Sequence, residues 1–341
     1  MRARRLRNLL TVASRRPPLS DAGASRACGW PREGARVANP DTIKAAATTG
    51  PERRAVPLGD GALSVLDWGG PADAPAVQLS HANGFNAYTY KGLVAPIADK
   101  VRLHAADFRG HGFSTLTADP AMTISWNTFR DDLIAYLEKR GEPVLLVGHS
   151  LGGTTSLLTA EARPDLVTGV LAVEPVIQPF AQAWIMRGKR LLGLPHKARG
   201  LAEGAAKRRA IFPDRDAVFA AYKGKGAFTS WPDDTLRDYI AGGVRARDDG
   251  QVELCCAPAW ESLIFASSGS YIWDRLARIK VPLTLVRGGM FSTCPDPVVN
   301  RLKRLYPQAD FITVDGATHF LPMERPDVVR AEILRMSGLS A

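Results

Sequence analysis

The chain has 341 residues, 45% of them apolar and 23% charged, enough apolar material for a sizeable core without metal or disulfide staples. Its formal net charge of +10 invites a nucleic-acid partner, yet residues 1–54 hold 12 Lys/Arg against 4 Asp/Glu while the rest holds 32 against 30. The excess belongs to one terminal segment, and without aromatic-interleaved basic patches in the near-neutral body nucleic acid is excluded as a partner.

No apolar run approaches the roughly 18 residues that span a bilayer. The four cysteines, Cys28, Cys255, Cys256 and Cys294, show neither Cys-x-x-Cys nor zinc-ligand spacing, which predicts free thiols in a reducing, cytoplasmic setting and no metal.

In chain order, residues 1–50 are rich in Arg, Ala, Ser, Pro and Gly with no sustained hydrophobic period, a composition that predicts a disordered basic tail. Its start, with Arg2, Arg4, Arg5, Arg7, Arg15 and Arg16 and few acids, resembles an organellar transit peptide; an over-extended start site gives the same composition. Residues 62–68 alternate as an early strand, 76–80 form a short second one and 101–106 a third. Apolar residues at Trp126, Phe129, Leu133 and Leu137 predict a helix over 126–140, with Lys139 and Arg140 before Gly141 as its stop.

The run 143–147 reads as a buried strand, and Gly148-His149-Ser150-Leu151-Gly152 carries it into a helix. A serine hydroxyl is a poor nucleophile at neutral pH, and flanking glycines allow the sharp bend that presents its Oγ, so this context makes Ser150 the candidate nucleophile. Strands follow at 167–173, 281–286 and 310–314, with a closing helix at 326–336. Strands alternating with helices predict an α/β fold with a mostly parallel sheet flanked by helices. Between about Pro175 and Lys280 the strand rhythm stops, which divides the chain into core segments 51–174 and 281–341 and an inserted helical cap, 175–280. Apolar cap positions such as Trp184, Ile185, Leu191, Phe219, Tyr222, Tyr239 and Ile240 read as helix packing rather than ligand contacts.

A serine nucleophile needs a base. His319 lies on a glycine-containing loop just after the last strand, at the sheet edge that the loop after 143–147 also reaches. His104, His111, His149 and His196 compete without that placement. The imidazole needs a carboxylate from another strand end. Glu174 directly ends the strand after the nucleophile strand, Asp296 follows the strand 281–286, and another residue, or a dyad without an acid, is the third option. The oxyanion of acyl transfer needs backbone donors. Leu151 N–H is one; Phe85 N–H, on the loop 81–86, is the expected second, with His81 and Asn83 read as loop hydrogen-bonding residues.

The stretches 81–85 and 107–114, the Ser150 pentapeptide and 316–320 together resemble the α/β-hydrolase superfamily over about residues 55–338. The resemblance implies a Ser-His-acid triad, an eight-stranded sheet and a lid inserted after the sixth strand. Two departures stand out: Ala82-Asn83 precede the glycine of the first loop, and the usual aspartate after the seventh strand falls on Phe291 or Ser292, which moves the acid to Glu174.

The expected function is cofactor-free hydrolysis of small carboxylic esters by Ser150, His319 and Glu174 through an acyl-enzyme. Alternatives keep the site and change the bond, to an amide, a carbon-carbon bond or cofactor-free peroxidase chemistry, or retain the pocket as a non-catalytic receptor for a small ligand. Dehalogenase and epoxide hydrolase chemistry would want aspartate at position 150.

Overall fold

A computed structural model describes residues 50–192, 200–267 and 272–340. The basic tail 1–49, with Cys28, and also His196 lie outside the described residues. The chain enters through β1 (Glu52–Leu58) and β2 (Gly61–Asp67), an antiparallel hairpin. Then come β3 (Ala76–Ser80), β4 (Arg102–Asp107), β5 (Val144–His149) and β6 (Val167–Val173). After the insertion, which carries short strands β7 (Ile211–Phe212), β8 (Val244–Ala246) and β9 (Val252–Leu254), the sheet resumes with β10 (Leu283–Gly288) and β11 (Asp310–Val314).

Eight strands form one sheet in the order β1-β2-β4-β3-β5-β6-β10-β11. Only β2 runs against the others, since β4 through β11 pair in parallel and β1 and β2 pair antiparallel. The expected mostly parallel eight-stranded sheet is therefore present. Parallel strands are covered on both faces and so read as continuous apolar runs. Every residue of β5 is buried, and its alternate side chains face different layers. Val144 and Leu146 pack with Phe129, Leu133 and Leu157 on one face. Leu145 and Val147 pack with Leu93, Val329 and Ile333 on the other.

The helix Trp126–Arg140 ends at Gly141, whose φ of 77° and N–H to Leu137 O form the left-handed cap that glycine permits. Strand β3 has β4 on one side and β5 on the other, so the chain reverses its direction of winding there. Loops leaving β3 and β5 then diverge and open a crevice at the strand ends, the usual ligand position of open α/β sheets.

Between β6 and β10 lie helices Phe180–Leu191, Arg215–Tyr222, Asp233–Gly243 and Pro258–Ser267. The wholly helical reading of this segment missed β7, β9 and β8, which form a small antiparallel sheet in that order. Strands of two and three residues are too short to show a period of two. Edge strand β1 was missed for a related reason: it is largely exposed and opens with three charged residues, Glu52, Arg53 and Arg54.

Candidate active site

Strand β5 ends at His149, and Ser150 turns it into the helix Leu151–Ala162. Ser150 has φ 56° and ψ −115°, a conformation that costs a residue with a side chain on the order of 1–3 kcal/mol and persists only where its surroundings fix it. The fixing bonds are Ser150 N–H to Val173 O on β6, 3.0 Å, and Thr154 N–H back to Ser150 O, 3.1 Å. The neighbouring glycines allow backbones to touch: a Cβ on Gly152 would lie 2.1 Å from Ser80 O. The glycine spacing of the pentapeptide is thus a consequence of close strand and helix packing.

Glu174 directly follows β6 next door, also at positive φ, 49°. Its side chain is fully buried, yet every part of the carboxylate is engaged. Oε1 accepts Gly288 N–H at 2.6 Å, and Oε2 accepts Thr293 N–H at 2.9 Å and lies 3.0 Å from His319 Nδ1. Burial pushes this carboxyl's pKa up, but the His319 contact and the Gly288 N–H outweigh it and leave it below the ordinary glutamate value. The last residue of β10 and the loop after it, where a family aspartate is usual, instead donate two main-chain N–H groups and the Thr293 hydroxyl to the glutamate that follows the neighbouring strand.

His319 follows β11 and completes the line, with Nε2 3.1 Å from Ser150 Oγ. With Nδ1–H donated to Glu174, Nε2 is left as the acceptor for the serine hydroxyl. Its backbone is held as well. His149 Nε2–H donates to His319 O at 2.8 Å, His149 Nδ1 accepts from Tyr90 O–H at 2.8 Å, and Tyr90 Oη accepts Ala82 N–H at 3.0 Å. Tyr90 and His149 are both buried, and burial, reinforced by the nearby His319, holds His149 well below the usual imidazole range and therefore neutral. This relay ties the loop after β3 to the loop after β11.

The structure brings Ser150, His319 and Glu174 together and leaves Asp296 out. Asp296 opens the exposed end of the helix Asp296–Leu305 and pairs with Arg287. The expectation for Phe85 is corrected: its N–H donates to Ala82 O at 3.1 Å and is spent on a turn. Ala82 O also accepts His81 Nδ1–H at 2.7 Å, while His81 Nε2 accepts Phe108 N–H at 2.8 Å. A trans peptide points its N–H away from its C=O. With Ala82 O pinned twice, the Asn83 N–H is directed the other way, and it has no acceptor among the described residues. Leu151, first in its helix, likewise has no acceptor for its N–H among the described residues, and both residues line the cavity containing Ser150. The sequence reading did not single out the Asn83 N–H because its freedom is visible only once the hydrogen bonds of Ala82 O are known.

That cavity holds about 820 Å³. Core loops supply Ser150, His319 and Asn83, and the segment 175–280 supplies much of the remaining wall, including Ile177, Phe228 and Phe265. Among the described residues no cluster of His, Cys, Asp and Glu could hold a metal ion, and no helix is long and apolar enough to cross a membrane.

Such a sheet, with an alcohol, an imidazole and a carboxylate in line at its strand ends, defines the α/β-hydrolase class. Residues 79–332 match the model of the alpha/beta hydrolase family, and the chain belongs to that family. It is similar to the 2-(acetamidomethylene)succinate hydrolase of Mesorhizobium japonicum, 25% identical over 277 residues that cover 81% of this chain and 91% of that protein. An esterase of Mycobacterium tuberculosis is 27% identical over 247 residues, 72% of this chain and 75% of that protein. A crystal structure of E-2-(acetamidomethylene)succinate hydrolase superposes with a TM-score of 0.68 over 84% of this chain and 98% of that one, at 22% identity, a likeness of fold.

Proposed function

We propose that the protein is a serine hydrolase that cleaves small carboxylic esters through an acyl-enzyme. Ser150 Oγ attacks the ester carbonyl as its proton passes to His319 Nε2. Glu174 accepts the hydrogen bond from Nδ1–H, keeps the ring in the useful tautomer and stabilises the imidazolium. The oxyanion is met by the N–H groups of Leu151 and Asn83, donors already oriented before charge develops. His319 then returns the proton to the leaving alcohol, and water repeats the sequence to release the acid.

The observation that carries this reading is the unbroken line from Ser150 Oγ to His319 Nε2, 3.1 Å, and from His319 Nδ1 to Glu174 Oε2, 3.0 Å. The esterase of Mycobacterium tuberculosis supports the ester bond as the target. Similarity to 2-(acetamidomethylene)succinate hydrolase over 81% of the chain favours amide hydrolysis as the second reading, with the same residues in the same roles.

The test is turnover of 4-nitrophenyl acetate together with labelling by a fluorophosphonate. Ser150→Ala is expected to lower kcat by more than about 10³-fold, to abolish labelling and to leave the circular dichroism spectrum intact. Unchanged turnover by a folded variant removes the assignment. Parallel assays with the matched anilide separate ester from amide preference.

A further inference from the structure

The Arg, Lys, Asp, Glu and His side chains lining the Ser150 cavity, among the described residues, are Arg208, Lys225, Glu261 and His319. Glu261 is the one acid of that group, and its Oε2 already accepts from Arg208 Nη1. Arg208 Nη2 donates to the phenol oxygens of Tyr222 and Tyr239, at 3.0 Å each. A guanidinium has five N–H donors, and these bonds use three acceptors. Tyr222 also lines the cavity, and because its oxygen accepts from Arg208 its own O–H is left to donate elsewhere. Lys225, exposed and lining the same cavity, has no carboxylate partner among the described residues. The wall therefore carries one positive charge more than it neutralises, and more donors than acceptors.

The polar group adjoins the chemistry. Asn83 Nδ2 donates to Glu261 O at 3.1 Å, and a Cβ on Gly84 would lie 2.5 Å from Glu261 Oε1. The Arg208–Glu261 pair thus packs on the very loop whose Asn83 N–H faces the reacting carbonyl. Much of the rest of the wall is apolar, with Trp126, Ile177, Phe228 and Phe265. An uncharged substrate would cover the free donors and leave them unpaired, whereas a carboxylate takes them in charge-assisted hydrogen bonds, which are shorter and stronger than neutral ones.

We infer that the substrate cleaved at Ser150 bears a free carboxylate, received by Arg208, Tyr222 and Lys225 of the cap, so that the protein selects monoesters of dicarboxylic acids or esters of similar charge. This rests on the serine-hydrolase reading above. Glu261 acts here as a positioning residue: it holds the guanidinium against the loop 81–86 and prevents the site from carrying two uncompensated charges when empty.

The full-length protein is assayed at low ionic strength with mono-4-nitrophenyl adipate and with its uncharged counterpart, 4-nitrophenyl methyl adipate. The wild type is expected to favour the charged ester at least 10-fold in kcat/KM, chiefly through KM. Lys225→Gln should bring that ratio to within about twofold of unity, and Lys225→Arg should restore most of it. A wild-type ratio of one or less, or a ratio that Lys225→Gln leaves unchanged, overturns the inference. Calorimetric titration of the Ser150→Ala protein with monomethyl adipate against dimethyl adipate reads the same preference without turnover. If neither nitrophenyl ester is cleaved but the monoacid still binds at least 10-fold more tightly, the hydrolase reading falls and the carboxylate site stands. Equal binding of the two sinks the site whatever the turnover.

Discussion

The strand-end rim and the wall supplied by the segment 175–280, the proposed cap, both line one cavity, yet they are built by different means. On the rim, Ser150 and Glu174 each stand directly after a strand at positive φ, 56° and 49°, and main-chain bonds to neighbouring strands hold both. In the cap, Arg208, Tyr222 and Glu261 come from separate pieces of helix and turn and meet through the far ends of long side chains. On the proposed function, reactive geometry is thereby tied to the backbone of the sheet, whereas selectivity rests on side chains that can change without disturbing it. Rim substitutions should act on kcat and cap substitutions on KM, and each prediction below strains that division.

The largest effect after loss of Ser150 itself is expected at the acid. Glu174→Gln keeps the shape but cannot stabilise the imidazolium, and kcat should fall about 10³-fold with KM little changed. Asp296→Asn, on an exposed side chain paired with Arg287, should change kcat less than about twofold. Equal losses in the two variants would move the acid off β6 and with it the claim that strand ends alone set the chemistry.

The same division explains what could be read from the residues in order. Ser150 and His319 are marked by glycines and by apolar runs, signals that lie within a few positions and reflect backbone demands. Strand limits at β3, β6 and β11, and the helices 126–140 and 326–336, agree with the sequence reading because periodicity over a buried face is a local property. Glu174 was readable only as one of three options, since its value as an acid depends on Gly288 and Thr293, more than a hundred residues away. The proposed donor Asn83 and the Tyr90–His149 relay left no local signature. Each is defined by a partner on another loop, and no period or motif encodes that.

Acid should expose the rim before the cap. Burial holds His81 down to about 4 and His111 to about 3, and His149 well below its ordinary value, while the described part of the cap contains no histidine. Above pH 6.5 these rings are neutral folded or unfolded, and their contribution to stability is complete. As pH falls from 6.5 toward 4 the unfolded chain takes up protons that the folded rings refuse, so stability declines by on the order of 1 kcal/mol per pH unit for each ring. Tm should hold from pH 7.5 to about 6.5 and then drop steadily toward pH 5. A flat profile would mean that these imidazoles are charged inside the fold and cannot accept Phe108 N–H and Tyr90 O–H as described.

A smaller effect is expected from Tyr90→Phe, which keeps the ring and removes the link between Ala82 N–H and His149 Nδ1. Both partners lose a buried hydrogen bond, a cost of about 1–3 kcal/mol in stability. If the relay serves only packing, activity per folded molecule stays constant. If it aligns the two loops, kcat falls roughly 3- to 10-fold with KM unchanged, and a KM effect instead would erase the contrast between rim and cap.

The smallest effect tests whether positive φ on the rim is a burden that function imposes. Phe291 shares the left-handed conformation of Ser150 and Glu174, with φ 51°, but its side chain is 87% exposed. Glycine there removes a conformational cost of about 1–2 kcal/mol and gives up little buried surface, while its greater freedom in the unfolded chain takes back about 0.5–1 kcal/mol. Phe291→Gly should therefore raise stability by less than about 1 kcal/mol in denaturant titrations and leave ester turnover unchanged. A fall in kcat would mean that the loop cradling Glu174 depends on this ring to present Thr293 N–H, so that even an exposed side chain belongs to the rim.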